Sequence, residues 1–95
     1  MRGRQVPVAV FRLGRIVATA NAMNRITNAD ILLGIQRHQA GDWGDVSAEE
    51  REASDGALVK GTKVRSVYHA ANGTKFWVIT QAGHTVTTIL LPQDY

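Results

Sequence analysis

An Asn-Gly pair at positions 72 and 73 constrains the fold of this chain more than any other sequence feature. Asn-Gly is the strongest short signal for a β-hairpin, because both residues of the tight turn must accept a positive φ. Runs of β-forming residues lie on either side of the pair, at 62–69 and 75–81, and a third run at 85–91 ends at Pro92. The pattern predicts a C-terminal three-stranded antiparallel β-meander.

A helical region is predicted over 19–41, before the meander. Thr19 can cap a short first helix, and Thr27 or Asn28 can cap a longer one, because their side chains accept a backbone hydrogen bond. Gly41 ends this region, since glycine tolerates the left-handed conformation at that position. The predicted apolar stripe of the longer helix consists of Ile31, Leu32 and Ile35.

A second main helix is predicted over 47–60, where Ser47 and Glu50 have the spacing of a capping box. The predicted fold class is therefore α+β, with two main helices packed on the C-terminal three-stranded meander and a short N-terminal strand or extended segment. A chain of 95 residues makes one domain, which we place at 6–95 after a flexible N-terminal tail at 1–5. Whether 6–18 joins the sheet is left open by the sequence.

Several classes of protein are excluded by what the sequence lacks. Without cysteine there are no disulfides, thiolate metal sites or cysteine nucleophiles. His38, His69 and His84 are too widely separated to form a recognised metal-binding motif, and no glycine-rich nucleotide loop is present. We therefore predict neither a metal site nor a cofactor. No apolar run is long enough to span a membrane, so a cytoplasmic location is predicted.

Charge is segregated along the chain, although the net charge is only +3. Five arginines and no acidic residue occur in 1–28, six acidic residues and one arginine occur in 42–55, and four basic residues and no acidic residue occur in 56–93. Such segregation can create a basic face for an anionic partner. The alternative is that the acidic segment lies against the basic ones and neutralises them.

Four stretches of sequence together resemble a family of short, mostly uncharacterised bacterial "plasmid-related" proteins, whose members are often labelled type I restriction subunit M. The stretches are 11–19 (FRLGRIVAT), 41–45 (GDWGD), 74–80 (TKFWVIT) and 86–95 (VTTILLPQDY). The resemblance implies residence on plasmids and other mobile genetic elements, but no activity and no site residues. A methyltransferase is excluded, because 95 residues cannot hold a doubly wound cofactor-binding domain.

The function predicted from these observations is that of a non-enzymatic accessory protein of a mobile element. It would bind nucleic acid or a host defence nucleoprotein complex, in the manner of an anti-restriction or anti-CRISPR protein. Basic and aromatic side chains suit phosphates and bases, and Tyr68 and Trp77 are interleaved with the basic residues. The predicted binding residues are Arg37, Lys63, Arg65, Lys75, Trp43, Asp42 and Asp45. Trp43 is at the same time predicted to plug back into the core.

Three alternatives remain open. The helices followed by a meander resemble the layout of the RelE/barnase-like ribonuclease superfamily, whose enzymes need no metal. In that case His69, Lys75 and Thr87 would be catalytic. Further candidates are Arg65, His84 and Thr88. The acidic segment 49–55 could instead mimic phosphates. Finally, the chain could work as a homo-oligomer through an exposed strand edge such as 85–91.

Overall fold

The strands predicted from the Asn-Gly hairpin form the centre of the fold. In a computed structural model, which describes residues 9–95, β2 (Val64–His69), β3 (Lys75–Thr80) and β4 (Val86–Leu90) are consecutive antiparallel neighbours. The hairpin turn between β2 and β3 contains Gly73 at φ 89°. With the helices described below, these strands confirm the α+β class.

A fourth strand, β1 (Arg15–Ala18), makes the sheet mixed, so the prediction of a three-stranded antiparallel meander is incomplete. β1 runs parallel to β4, and the strand order is β1-β4-β3-β2. Gly14 explains the pairing: it has φ 66°, and a Cβ there would lie 2.2 Å from the backbone of Thr85. Only glycine lets the chain pass this close to the start of β4. The predicted tail, 1–5, and residues 6–8 lie outside the described part of the chain.

The order of the strands overturns the prediction that 85–91 is an exposed edge, because β4 lies between β1 and β3. The two edge strands are β1 and β2. Along β2, a one-residue parallel bridge joins Gly44 to Val67, whose N–H donates to the Trp43 carbonyl at 2.9 Å. Within residues 9–95, no strand pairs with the outer edge of β1.

Helices α1 (Ala20–Arg25) and α2 (Asn28–Gln39) are the short and the longer helix predicted within 19–41. Thr19 and Thr27 cap them as predicted, each accepting a hydrogen bond from a backbone N–H in the first turn. The two helices are separate because Ile26 has extended backbone angles.

Helix α3 (Ala48–Lys60) begins and ends at the predicted signals. The side chain of Ser47 accepts from the Glu50 N–H, and the Glu50 carboxylate accepts from the Ser47 N–H, which completes the capping box. Gly61 ends the helix with φ 73°. A short 3-10 helix, Pro92–Asp94, closes the chain after β4.

The main hydrophobic core lies between α1, α2 and one face of the sheet, which we call the closed face. It consists of Ala22, Ile26, Tyr68, Ala70, Phe76, Val78, Ile89 and Leu91. The predicted stripe of α2 is partly wrong, because Leu32 is exposed whereas Gly34 and His38 are buried. A Cβ at Gly34 would lie 2.9 Å from the Phe76 ring, so α2 approaches the sheet through a position without a side chain.

A smaller cluster, Trp43, Ala57 and Val64, lies between α3 and the beginning of β2. The strand residues of both clusters therefore belong to the closed face of the sheet. None of the helices in residues 9–95 combines the length and the apolar character that a membrane crossing requires.

Candidate nucleic-acid interface

The second face of the sheet, which we call the open face, carries basic and aromatic side chains. The residues on this face are identified from the alternation of side chains along the paired strands. Its residues are Arg15, Val17, Arg65, Val67, His69, Lys75, Trp77, Ile79, Val86, Thr88 and Leu90. None of the four strands contains an acidic residue. Negative charge can therefore reach this face only from the segments around it.

Trp77 occupies the centre of the open face. Its cross-strand neighbours are Val67 on β2 and Leu90 on β4, and both are buried although neither belongs to the clusters that contact the helices. The indole is the largest side chain between them, and we attribute their burial mainly to it. The Arg65 guanidinium lies over the indole, 4.7 Å from the ring centroid, in a cation–π contact.

Tyr95 extends this patch beyond the strands. Its ring meets Trp77 edge-on, with centroids 5.4 Å apart, and remains 71% exposed. The Lys63 ammonium donates to the Tyr95 hydroxyl at 2.8 Å and lowers the pKa of that phenol. We call Lys63, Arg65, Trp77 and Tyr95 the aromatic–basic patch. Tyr95 presents the exposed ring of the patch, and Trp77 forms its base.

The position of Tyr95 is fixed by the preceding residue. Asp94 accepts hydrogen bonds at 2.7 Å from the Thr19 hydroxyl and from the Asn21 side-chain amide, and it also accepts from the Leu91 N–H. These bonds lower the pKa of the Asp94 carboxyl, with the Thr19 bond the largest cause. The carboxylate thereby ties the end of the chain to the beginning of α1, beside the sheet.

The indole N–H of Trp77 is buried and has no hydrogen-bond partner among the described residues. A buried donor without a partner destabilises a protein by about 1–3 kcal/mol relative to a satisfied one. In residues 9–95, it is the only buried side-chain nitrogen or oxygen in this state.

Glu50 is the acidic side chain that forms an ion pair with the aromatic–basic patch. Its carboxylate accepts from Arg65 at 2.5 Å, in an ion pair whose two side chains are both more than one-third exposed. The pKa of Glu50 is lowered first by its capping bond with the Ser47 backbone and then by Arg65. Glu50 therefore competes with any anionic ligand for Arg65, but solvent weakens the competition.

His69 and Lys75, the two principal residues of the ribonuclease alternative, are direct cross-strand partners next to the hairpin turn, and both are exposed. The Asp45 carboxylate lies 3.9 Å from His69 Nδ1. Thr87, the third residue of that alternative, is fully buried: its hydroxyl donates to the Leu13 carbonyl at 2.7 Å. It cannot meet a substrate in this structure.

Arg37 and Asp42, two of the predicted binding residues, lie away from the open face. The Arg37 guanidinium donates to both carboxylate oxygens of Asp42, at 2.8 and 3.3 Å, and lies 4.5 Å from the centroid of the Tyr68 ring. The hydroxyl of Tyr68 donates to the Asp42 carbonyl at 2.5 Å. These three residues, which we call the turn clamp, hold the Gly41–Gly44 connection against the sheet. Tyr68 itself is buried and is not a stacking surface.

Trp43 is also removed from the binding set, because only 1% of it is exposed. Its ring packs on Phe11 and His38, and its indole N–H donates to the Asp55 carboxylate at 2.9 Å. The other expectation for Trp43, that it plugs back into the core, is the one that the structure shows.

A buried polar chain crosses the core around His38. Thr87 donates to the Leu13 carbonyl, so the Thr80 hydroxyl, 2.7 Å away, must donate to Thr87. His38 Nε2–H then donates to Thr80 at 2.9 Å, and Ser66 donates to Nδ1 at 2.6 Å. Burial, and to a lesser extent nearby His84, lowers the pKa of His38 to about 3. The imidazole is neutral and fully enclosed, so its role is structural.

Two residues of the candidate site, Arg15 and Tyr95, were not predicted from the sequence. Arg15 reaches the open face only because β1 joins the sheet, and Tyr95 reaches it only because the chain folds back after Pro92. The alternation of Lys75, Trp77 and Ile79 was the available signal for which side chains share a face. Among the described residues, no group of three potential ligands that could hold a metal ion occurs.

Comparison of the chain with protein-family models, with curated proteins and with solved structures gave no match.

Proposed function

We propose that this protein binds single-stranded nucleic acid along the open face of its sheet, as a non-enzymatic accessory protein of a mobile genetic element. The observation that carries the proposal is the aromatic–basic patch. It combines an exposed tyrosine ring, an arginine stacked on tryptophan and a lysine, on and beside strands that contain no acidic residue. Free nucleic acid or the nucleic acid of a host defence complex would be the partner.

The arrangement suits unpaired bases better than a duplex. A base can stack on the exposed ring of Tyr95, and such stacking is worth about 1–3 kcal/mol per base. Lys63 and Arg65 lie at one end of the open face, while Lys75 lies at the other end, across from His69. This spacing lets the phosphates of one strand follow β2 and β3 on either side of the stacked base.

Duplex recognition finds less support in the geometry. A groove reader needs a protruding helix or ribbon that carries positive charge. Most residues of helix α3 are exposed, but its outer surface carries Glu49, Glu52 and Asp55. These carboxylates would be repelled by the phosphates of a duplex.

The proposal is tested by fluorescence anisotropy with labelled oligouridylate and oligothymidylate of about ten nucleotides. Tyr95→Ala should weaken binding about tenfold, the equivalent of one lost stacking contact. Arg65→Gln/Lys75→Gln should reduce the slope of log affinity against log salt by about 1.4, since each charge contributes about 0.7 on single strands.

The matched control is Arg25→Gln/Arg51→Gln, which removes the same net charge from helices α1 and α3. It should leave the salt slope nearly unchanged, and an unlabelled duplex should compete poorly. Equal effects of the two double variants would show that net charge rather than the open face governs binding. Absence of binding at low salt would refute the proposal.

A metal-independent ribonuclease is the second candidate, and the adjacency of His69 and Lys75 favours it. His69, with Asp45 beside it, would take the proton of a ribose 2′-hydroxyl, and Lys75 would hold the phosphate. Cleavage of RNA but not DNA, lost in His69→Ala/Lys75→Ala, together with growth arrest on expression, would establish it. Intact RNA after prolonged incubation would leave binding alone.

A further inference from the structure

A second surface, distinct from the open face, lies along the outer edge of β1. The N–H groups of Arg15 and Thr19 donate to the carbonyls of Thr85 and Ile89, at 2.9 and 3.0 Å. Because successive residues of a strand point their backbone groups to opposite edges, the N–H and C=O groups of Ile16 and Ala18 point away from β4. Within residues 9–95, they have no strand partner.

An apolar cleft accompanies this edge. It measures about 430 Å³ and is lined by Arg12, Leu13, Gly14, Ile16, Ile35 and Gln39. Ile16 is 47% exposed, and Leu32, on the same side of α2 as Ile35, is 59% exposed. A strand added to β1 would therefore place alternate side chains next to an apolar wall.

The charge along the outer edge of β1 indicates which kind of polypeptide could bind there. Arg12 and Arg15 lie at its beginning, and no acidic residue occurs between Ala9 and Ala29. Neither arginine forms an ion pair with a described residue. A second copy of the chain would bring the same two arginines to the contact, whereas a segment with carboxylates would be attracted.

We propose that the outer edge of β1 binds an extended acidic peptide segment of a partner protein by strand addition. The backbone groups of Ile16 and Ala18 supply the main-chain hydrogen bonds. The cleft takes one apolar side chain, and Arg12 and Arg15 attract the flanking carboxylates. This inference rests on backbone groups that nucleic-acid binding does not use, because they lie at the opposite edge of the sheet from β2, and Arg15 is the one residue that belongs to both surfaces.

The test is an NMR titration of the ¹⁵N-labelled full chain with two synthetic octapeptides, one alternating valine with glutamate and the other valine with lysine. The glutamate peptide should shift and protect the amides of Ile16 and Ala18, and should bind at least tenfold more tightly than the lysine peptide. Arg12→Glu/Arg15→Glu should reverse that preference, while Arg51→Glu, on α3, should not.

Ile16→Pro provides a second variant. Proline is tolerated at an edge position whose N–H faces outward, and it removes one of the two outward donors. Binding should then be lost while the spectrum elsewhere stays folded. The proposal is overturned if both peptides bind equally or leave these amides unmoved. It is equally overturned if the amides of Ile16 and Ala18 are already protected in the free protein. Protection at all concentrations would mean that the N-terminal segment of the same chain covers the edge. Protection only where the protein sediments as a dimer would mean that a second copy covers it.

Discussion

Two arginines of this protein make nearly the same contacts with opposite consequences. Arg37 lies 4.5 Å from the ring of Tyr68 and pairs with Asp42, and Arg65 lies 4.7 Å from the ring of Trp77 and pairs with Glu50. In the turn clamp, the tyrosine is buried and its hydroxyl is bonded to the Asp42 carbonyl, so the unit is internally satisfied.

In the aromatic–basic patch, the same chemistry is incomplete. The indole N–H of Trp77 has no partner among the described residues, and Tyr95 beside it is mostly exposed. A stacked arginine is therefore not in itself evidence of a binding site. What distinguishes the two regions is whether the aromatic residue under the arginine has satisfied its polar group and lost its contact with solvent.

The largest expected effect separates the two aromatic residues. Tyr68→Ala removes a buried core ring and should lower the free energy of unfolding by about 3–5 kcal/mol, without a direct effect on nucleic-acid binding by the fraction that remains folded. Trp77→Ala should lower it by less, because Trp77 is only partly buried, yet should weaken binding about tenfold or more. Urea denaturation and anisotropy on the same preparations make the comparison.

Reversed outcomes would contradict the division of roles. If Trp77→Ala unfolds the protein as severely as Tyr68→Ala, the patch is part of the core. Tyr95→Ala then serves as the binding test, since an exposed ring can be removed with little effect on the fold.

A second prediction concerns the closed side of the sheet at acid pH. The pKa of His38 is lowered from 6.5 to about 3, so between these values the unfolded chain binds a proton that the folded protein does not. The stability contributed by the neutral imidazole is complete above pH 6.5 and is lost as the pH falls. The free energy of unfolding should decrease by about 2 kcal/mol between pH 6.5 and 5.

His38→Gln should remove this pH dependence, because glutamine can donate and accept hydrogen bonds but does not titrate. His69→Gln, on the exposed hairpin, should retain it. The range from pH 6.5 to 5 is chosen because most carboxylates titrate below it. Parallel stability profiles for the wild type and His38→Gln would show that His38 does not govern acid unfolding.

The acidic partners of the two arginines give a third comparison. Asp42→Asn should lower the free energy of unfolding by about 1 kcal/mol and leave binding unchanged, since the clamp is half-exposed. Glu50→Gln preserves the capping box and should change stability by only a few tenths of a kcal/mol. It frees Arg65, so affinity should rise and the salt slope should steepen by about 0.7. Weaker binding by Glu50→Gln would mean that Glu50 positions Arg65 for the ligand.

The parts of the fold that depend on local signals could be predicted from the sequence. The Asn-Gly turn, the capping box of Ser47 and Glu50, and the Thr19 and Thr27 caps depend on neighbours a few residues away, and each is where it was expected. A short N-terminal strand was among the expectations, but its place in the sheet could not be predicted, because the pairing of β1 with β4 joins residues about 70 positions apart and depends on Gly14 passing against Thr85.

The candidate site, like the fold, could be predicted from the sequence only where it depends on local patterns. Period-two alternation places Arg65 and Trp77 on one face once the hairpin register is known. Arg37 was misplaced because composition counts charge without regard to the face on which it lies. For Trp43 the sequence left a binding role beside a place in the core, because its burial depends on α2 and α3. Thr87 was misplaced because its burial depends on the chain at Leu13, which is distant in sequence.

The smallest predicted effect tests whether Lys63 contacts the nucleic acid or only holds Tyr95 in place. Lys63→Gln should reduce the salt slope of binding by about 0.7, whereas Lys60→Gln, three residues earlier at the end of α3, should not change it. Lys63 lowers the pKa of Tyr95, so its removal should move the tyrosinate absorbance of Tyr95 to higher pH. The only other tyrosine, Tyr68, has a pKa raised by burial and titrates later, which keeps the two transitions apart. A shifted tyrosine titration with an unchanged salt slope would show that Lys63 holds Tyr95 in place without touching phosphate. A shifted tyrosine titration together with a reduced salt slope would show that Lys63 both holds Tyr95 and contacts phosphate.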